Sequence, residues 1–253
     1  MMKSLNVIFC IAVFTFAVCF TAPVHAHDTL LVMDNYQTSV NSTPGLKVFS
    51  AHNFLPPEDA AMGPDRLEEV FFITPSFERV AQNTKLSVPG TYMCLAVPVN
   101  GFATKTPDGY QRGKNKKDVA HPILCSYSMK YAKAIFTVGQ AGGDAYAKPL
   151  GQEMEIVPLK DPATLNPGDT LPVKVLKEGA PARTYVYGTY DGFSDKKDTF
   201  CYTTRTDKQG IAEIKLIHQG TWVLIAKIEE PFSDSAVCDT QRWAATLTFH
   251  VAE

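Results

Sequence analysis

The sequence predicts an all-β protein made of two β-sandwich domains, the C-terminal one immunoglobulin- or transthyretin-like. Three observations carry this expectation. Short segments rich in β-branched and aromatic residues recur along the chain. Pro, Gly, Asn and Asp punctuate them at close intervals. Helical signals are nearly absent, apart from a turn expected around 63–69.

The chain opens with Lys3 and an apolar run from Val7 to Phe20, then Val24-His25-Ala26. A basic start, an apolar stretch and small residues at the cut describe a secretory signal peptide, 1–26, too short to be a stable membrane span. Strands are expected at 29–33, 47–51, 70–74, 91–97 and 132–138, within an N-terminal sandwich domain of residues 27–150. The Gly-rich stretch 139–144 breaks the pattern, and 151–165 reads as a linker. The C-terminal domain, 166–253, has expected strands at 171–176, 184–190, 200–206, 211–216, 221–228 and 244–251. The strands at 211–216 and 221–228 are expected to form a hairpin around His218-Gln219-Gly220.

A formal net charge of −2 and one short basic cluster, 112–117, without an aromatic platform argue against a nucleic-acid surface. No apolar run after residue 26 is long enough to span a bilayer. The export signal implies the periplasm, where disulfides form. Cys10 and Cys19 fall in the signal, and Phe16-Ala17-Val18 before Cys19 matches a lipobox poorly. Cys94, Cys125, Cys201 and Cys238 remain. Domain-wise pairing gives Cys94–Cys125 and Cys201–Cys238.

Cleavage after Ala26 makes His27 the new N-terminus. Its α-amine, with an ordinary pKa of about 7.7–8.0, and its imidazole then form a chelating pair near neutral pH. His52 follows the second expected strand. Pairing the first two strands as an antiparallel hairpin centred in 37–42 sets His27 opposite His52, with Cβ atoms about 4.5–5.5 Å apart. Two imidazoles and an amine suit Ni(II), Co(II) or Cu(II) better than oxygen-loving cations. His121 lies in the long loop before Cys125. A Cys94–Cys125 bridge would tie that loop to the N-terminal sheet and offer His121 as a third ligand. His218 and His250 fall in a turn and the last strand and are assigned to no site. Met62, Met93 and Met129 lack clustering and read as core.

No catalytic arrangement stands out: Gly-x-Ser-x-Gly, His-Glu-x-x-His, a phosphate-binding glycine loop and a dinucleotide fingerprint are all missing from the sequence. Glu229 and Glu230 are adjacent on a strand, so they point to opposite faces and do not share a pocket.

Several short motifs, in order, resemble a known family. They are Ala26-His27-Asp28, Ala51-His52, Gly101-Phe102-Ala103-Thr104-Lys105-Thr106 with Gly109-Tyr110, Tyr131-Ala132-Lys133-Ala134, Tyr190-Asp191-Gly192-Phe193-Ser194, and Cys238-Asp239 with Ala244-Ala245-Thr246-Leu247-Thr248-Phe249. Over essentially the whole mature chain they resemble a DUF4198-like domain-of-unknown-function family described as the periplasmic component of cobalt/nickel-type ABC transport systems. The resemblance implies a periplasmic divalent-metal-binding protein working beside inner-membrane transporter components. By position the family's processed N-terminal histidine falls on His27 and its post-strand histidine on His52. Ala51-His52 stands where members commonly show Gly-His.

The leading expectation is a non-catalytic nickel- or cobalt-binding protein with His27, His52 and His121 as metal residues. The alternatives are a histidine-brace copper protein with redox activity and a metal-free sandwich serving adhesion or assembly.

Overall fold

The structure is a computed structural model that describes residues 27–54 and 61–252. The signal segment expected at 1–26 lies outside the described residues. The first half of the chain forms β1 (Asp28–Met33), β2 (Gln37–Thr38), β3 (Leu46–Ala51), β4 (Leu67–Ile73), β5 (Arg79–Ala81), β6 (Gly90–Pro98), β7 (Gly101–Thr106), β8 (Gly109–Arg112) and β9 (Leu124–Val138). The second half forms β10 (Met154–Pro158), β11 (Thr170–Lys177), β12 (Ala180–Pro181), β13 (Tyr185–Tyr190), β14 (Tyr202–Arg205), β15 (Ile211–Lys215), β16 (Gly220–Pro231) and β17 (Thr240–Val251). Among the described residues the helical content is short 3-10 turns, so the molecule is all-β. The helical turn expected at 63–69 contracts to one such turn, Pro64–Arg66.

One large sheet organises the molecule, in the order β14-β13-β16-β17-β9-β6-β4-β5. Its central strands are apolar on both faces, as a strand covered from two sides must be. On β16, Trp222 and Leu224 face one way and Val223 and Ile225 the other, and all four are fully buried. The first set packs with Val173, Val175 and Ile214 of a smaller sheet, in which β11 pairs with β10, β12 and β15. This facing pair of sheets is a β-sandwich. The second set packs with Leu30 and Ala51 of the β1–β3 hairpin.

The hairpin sits inside the curl of the large sheet. Leu31 and Met33 pack with Phe72, Phe136 and Ala134, while Leu30, pointing the other way, meets Val223 and Ile225. β1 is therefore buried on both sides although it pairs with one strand. Below it on β17, Thr246 and Thr248 donate hydroxyl hydrogen bonds to the carbonyls of Thr29 and Leu31. Those threonines let a strand backbone rest on a sheet face without orphaned carbonyls.

Three expectations are corrected. The expected linker, 151–165, contains β10, which pairs with β11 from Met154↔Lys177 to Pro158↔Val173. The two halves also share the large sheet, because β9 and β17 pair in parallel from Thr240↔Ser126 to Thr248↔Ala134. The apolar cluster above one face accordingly mixes Met93 and Ile135 with Val173, Trp222 and Leu247. Second, β15 and β16 form no hairpin. β15 pairs with β11 and β16 with β13 and β17, so 217–219 crosses between sheets. The crossing is fixed by Trp222 Nε1 donating to the His218 carbonyl at 2.8 Å and by His218 stacking on Tyr190 at 4.3 Å.

Third, the disulfide is Cys125–Cys238, with Cα atoms 4.9 Å apart. It replaces both expected pairs, Cys94–Cys125 and Cys201–Cys238. The parallel β9–β17 register brings Cys125 and Cys238 together, and Asp239 accepts from the Cys125 N–H at 2.8 Å. Cys94 lies opposite Ala134 and points into the hairpin core, where burial pushes its thiol well up. Cys201 is half-buried and donates to the Gly188 carbonyl. Met93 and Met129 are buried and Met62 packs against the hairpin core, as expected of core methionines.

Candidate metal centre

The hairpin register runs from Asp28↔Ala51 to Met33↔Leu46 without a bulge. Continued by one residue, it sets His27 opposite His52. Their ring centroids are 4.4 Å apart with the planes tilted by 50°. The cross-strand pairing expected from the sequence is the pairing observed.

His52 is 5% exposed, and its Nδ1 lies 3.1 Å from Asp198 Oδ1. Asn53 holds the segment that brings Asp198 there. Its Nδ2 donates to the carbonyls of Lys196 and Thr199, both at 3.3 Å, and its Oδ1 accepts from the Asp198 N–H at 3.1 Å. Asn53 and Asp198 have φ of 49° and 53°, left-handed values that Asn and Asp adopt more readily than most residues. A hydrogen bond from Nδ1 to the carboxylate leaves Nε2 as the ring nitrogen able to coordinate a metal. That is the arrangement in which a carboxylate behind the ring orients a metal-binding histidine.

His27 is half-buried, and its carbonyl accepts from Lys130 Nζ at 2.6 Å. Burial lowers the His27 pKa, followed by the charges of His52, Lys130, Lys197 and Arg112. Each of these effects favours the neutral ring, the form that ligates a metal. Next to it, Asp28 is 2% exposed and meets Lys227 Nζ at 2.7 Å through Oδ2. Burial raises the Asp28 pKa and Lys227 opposes the rise. Burial likewise pushes Lys130 down to about 8, against the pull of Asp28.

The third residue expected at the site, His121, is exposed in the loop between β8 and β9, with φ of 52°. Its loop is anchored through Cys125 to Cys238, not to Cys94. Among the described residues no group of three or more His, Cys, Asp or Glu side chains is disposed to hold a metal ion, so His121 does not join the histidine pair in one. An α-amine on His27 is a donor outside that set. His218 stacks on Tyr190, and His250 lies 6.0 Å from Tyr36, in a separate cleft with Asp34 and Thr137. Sequence reasoning missed Asp198, Asn53 as its clamp, and the cations Lys130 and Lys227. Nothing local marks Asp198, which is 146 positions from His52.

The fold and the cluster define an all-β sandwich protein carrying a carboxylate-braced histidine pair at the head of its first strand. The chain belongs to the domain of unknown function family DUF4198, whose profile matches residues 24–230. No curated protein matches it. Among solved structures, the D0-D1 domain of Intimin is 14% identical with a TM-score of 0.22, over 89% of this chain and 99% of that one. The fibronectin(III)-like modules of Clostridium thermocellum CbhA are 10% identical with a TM-score of 0.21, over 87% and 93% of the two chains.

Proposed function

We propose that the mature chain is a periplasmic, non-catalytic protein that binds nickel or cobalt and hands it to an inner-membrane uptake system. The observation that carries this reading is the His27–His52 pair, 4.4 Å between ring centroids, with Asp198 on His52 Nδ1. After cleavage at Ala26, the His27 amine and ring and His52 Nε2 give three nitrogen donors. Imidazole and amine nitrogens suit Ni(II), Co(II) and Cu(II) and set a general affinity order rather than a choice of one metal. The metal here is cargo.

The test compares protein beginning at His27 with protein beginning at Ala26. One extra residue turns the amine into an amide and removes a ligand. Calorimetric Ni(II) affinity should fall by more than tenfold, the loss expected for even a supporting contact at a metal site. Equal affinities would reject the model. Tight copper binding with peroxide-dependent turnover would instead assign the pair to histidine-brace redox chemistry. No binding of any metal would leave a structural sandwich module.

A further inference from the structure

Past the head of β1 the large sheet continues without the hairpin above it. β9, β16 and β17 run on there, through Lys130↔Ala244, Ser128↔Arg242 and Glu229↔Arg242. The face that is apolar beneath the hairpin, with Val223, Ile225 and Ala132, becomes charged beyond the head of β1. Lys130, Lys227, Glu229 and Arg242 line, with His27 and Asp28, a cleft of about 210 Å³. At about 30 Å³ of liquid per water molecule, that is room for roughly seven waters.

Positive charge exceeds negative in this cleft. Lys227 pairs with Asp28 at 2.7 Å. Arg242 pairs with Glu229 at 2.6 Å through Nε, and among the described residues its terminal nitrogens make no hydrogen bond. Lys130 Nζ uses one donor on the His27 carbonyl and, among the described residues, forms no ion pair. Lys197 and Arg112 add further positive charge at His27. An anionic complex of the metal is drawn to such neighbours more strongly than the bare dication is.

We propose that this cleft holds the carboxylates of a small organic acid that arrives bound to the metal, so that the cargo is a metal–carboxylate chelate and not the bare aquo ion. The proposal rests on the metal reading above. Three protein nitrogens leave other coordination positions of Ni(II) or Co(II) open to oxygen donors. Carboxylate oxygens of the acid fill them from the cleft side. Its remaining carboxylates accept charge-assisted hydrogen bonds from Lys130 Nζ and the Arg242 guanidinium.

Equilibrium dialysis of the mature chain beginning at His27, with Ni(II) and radiolabelled citrate as the probe, tests this. Citrate should be retained one per metal, and only when nickel is present. Arg242→Gln, shown folded by circular dichroism, should weaken nickel–citrate retention about tenfold without weakening Ni(II) affinity in a non-chelating buffer. With both present, nickel retained without citrate, citrate retained equally when nickel is left out, or equal nickel–citrate retention by Arg242→Gln would each overturn the chelate proposal while leaving metal binding standing. Failure to bind nickel with or without citrate would reject the metal reading and this proposal together.

Discussion

His52 Nδ1 and Asp198 Oδ1 meet at 3.1 Å, although 146 positions of sequence separate them. One end of the contact belongs to the hairpin of the first half and the other to the loop between β13 and β14. The candidate site is therefore assembled by both halves of the chain.

Removing the charge while keeping the shape isolates what this contact does. Asp198→Asn should lower Ni(II) affinity 10–100-fold, the usual cost of losing an outer-shell partner of a histidine ligand. His52→Ala should cost at least as much. His250→Ala, beside Tyr36 in its separate cleft, should leave affinity unchanged. Calorimetric titration of the three variants reads the order directly.

Residues 27–150, expected from the sequence to form a domain of their own, do not hold the whole site. A chain ending at 150 lacks Asp198 and also β17, which runs beside β9 through nine paired positions from Thr240↔Ser126 to Thr248↔Ala134. Without β17, the carbonyls of Thr29 and Leu31 lose their hydroxyl donors and the β9 edge is bare. The 27–150 piece should show no cooperative melting transition and no tight Ni(II) binding. A folded, metal-binding 27–150 piece would show that the shared sheet is dispensable.

What the sequence revealed and what it hid follow from the range of each interaction. The β-forming runs of β1 and β3 and the turn residues between them are local, so the hairpin register and the His27–His52 pairing are legible. The strand positions of β13, β15, β16 and β17 are legible for the same reason. Partner choice is not. β15 and β16 look like neighbours across a short turn, yet each has both faces or an edge satisfied by distant strands, β11 for one and β13 and β17 for the other. The parallel β9–β17 pairing has no local signature, and the disulfide, the shared sheet and Asp198 all depend on it.

The Cys125–Cys238 bridge spans 113 positions, and in the chain-entropy model closing a loop of about that length stabilises by about 4–5 kcal/mol. Reduction should lower the melting temperature by many degrees. Non-reducing peptide mapping should join the peptides of Cys125 and Cys238 and leave Cys94 and Cys201 unpaired. Any bridge to Cys94 would contradict its place in the hairpin core.

The last prediction concerns Lys133 and Glu155, an ion pair at 2.6 Å with side chains 2% and 1% exposed. Lys133 projects from β9 into the layer between the two sheets, where its Nζ also donates to the Ile156 carbonyl at 3.2 Å. Burial lowers the Lys133 pKa and Glu155 opposes the shift. Glu155 in turn accepts the Leu150 N–H on both oxygens, at 3.0 and 2.9 Å. Breaking such a pair leaves a buried charge without its partner, at a cost of about 3–5 kcal/mol. Lys133→Met should therefore destabilise by that amount in urea. The double variant Lys133→Met/Glu155→Leu removes both charges and should recover most of the loss. It should stay below the parent by about 1–3 kcal/mol, because the Leu150 N–H then has no acceptor. A double variant no more stable than Lys133→Met would mean that packing around the Lys133 stem, and not the stranded carboxylate, sets the cost.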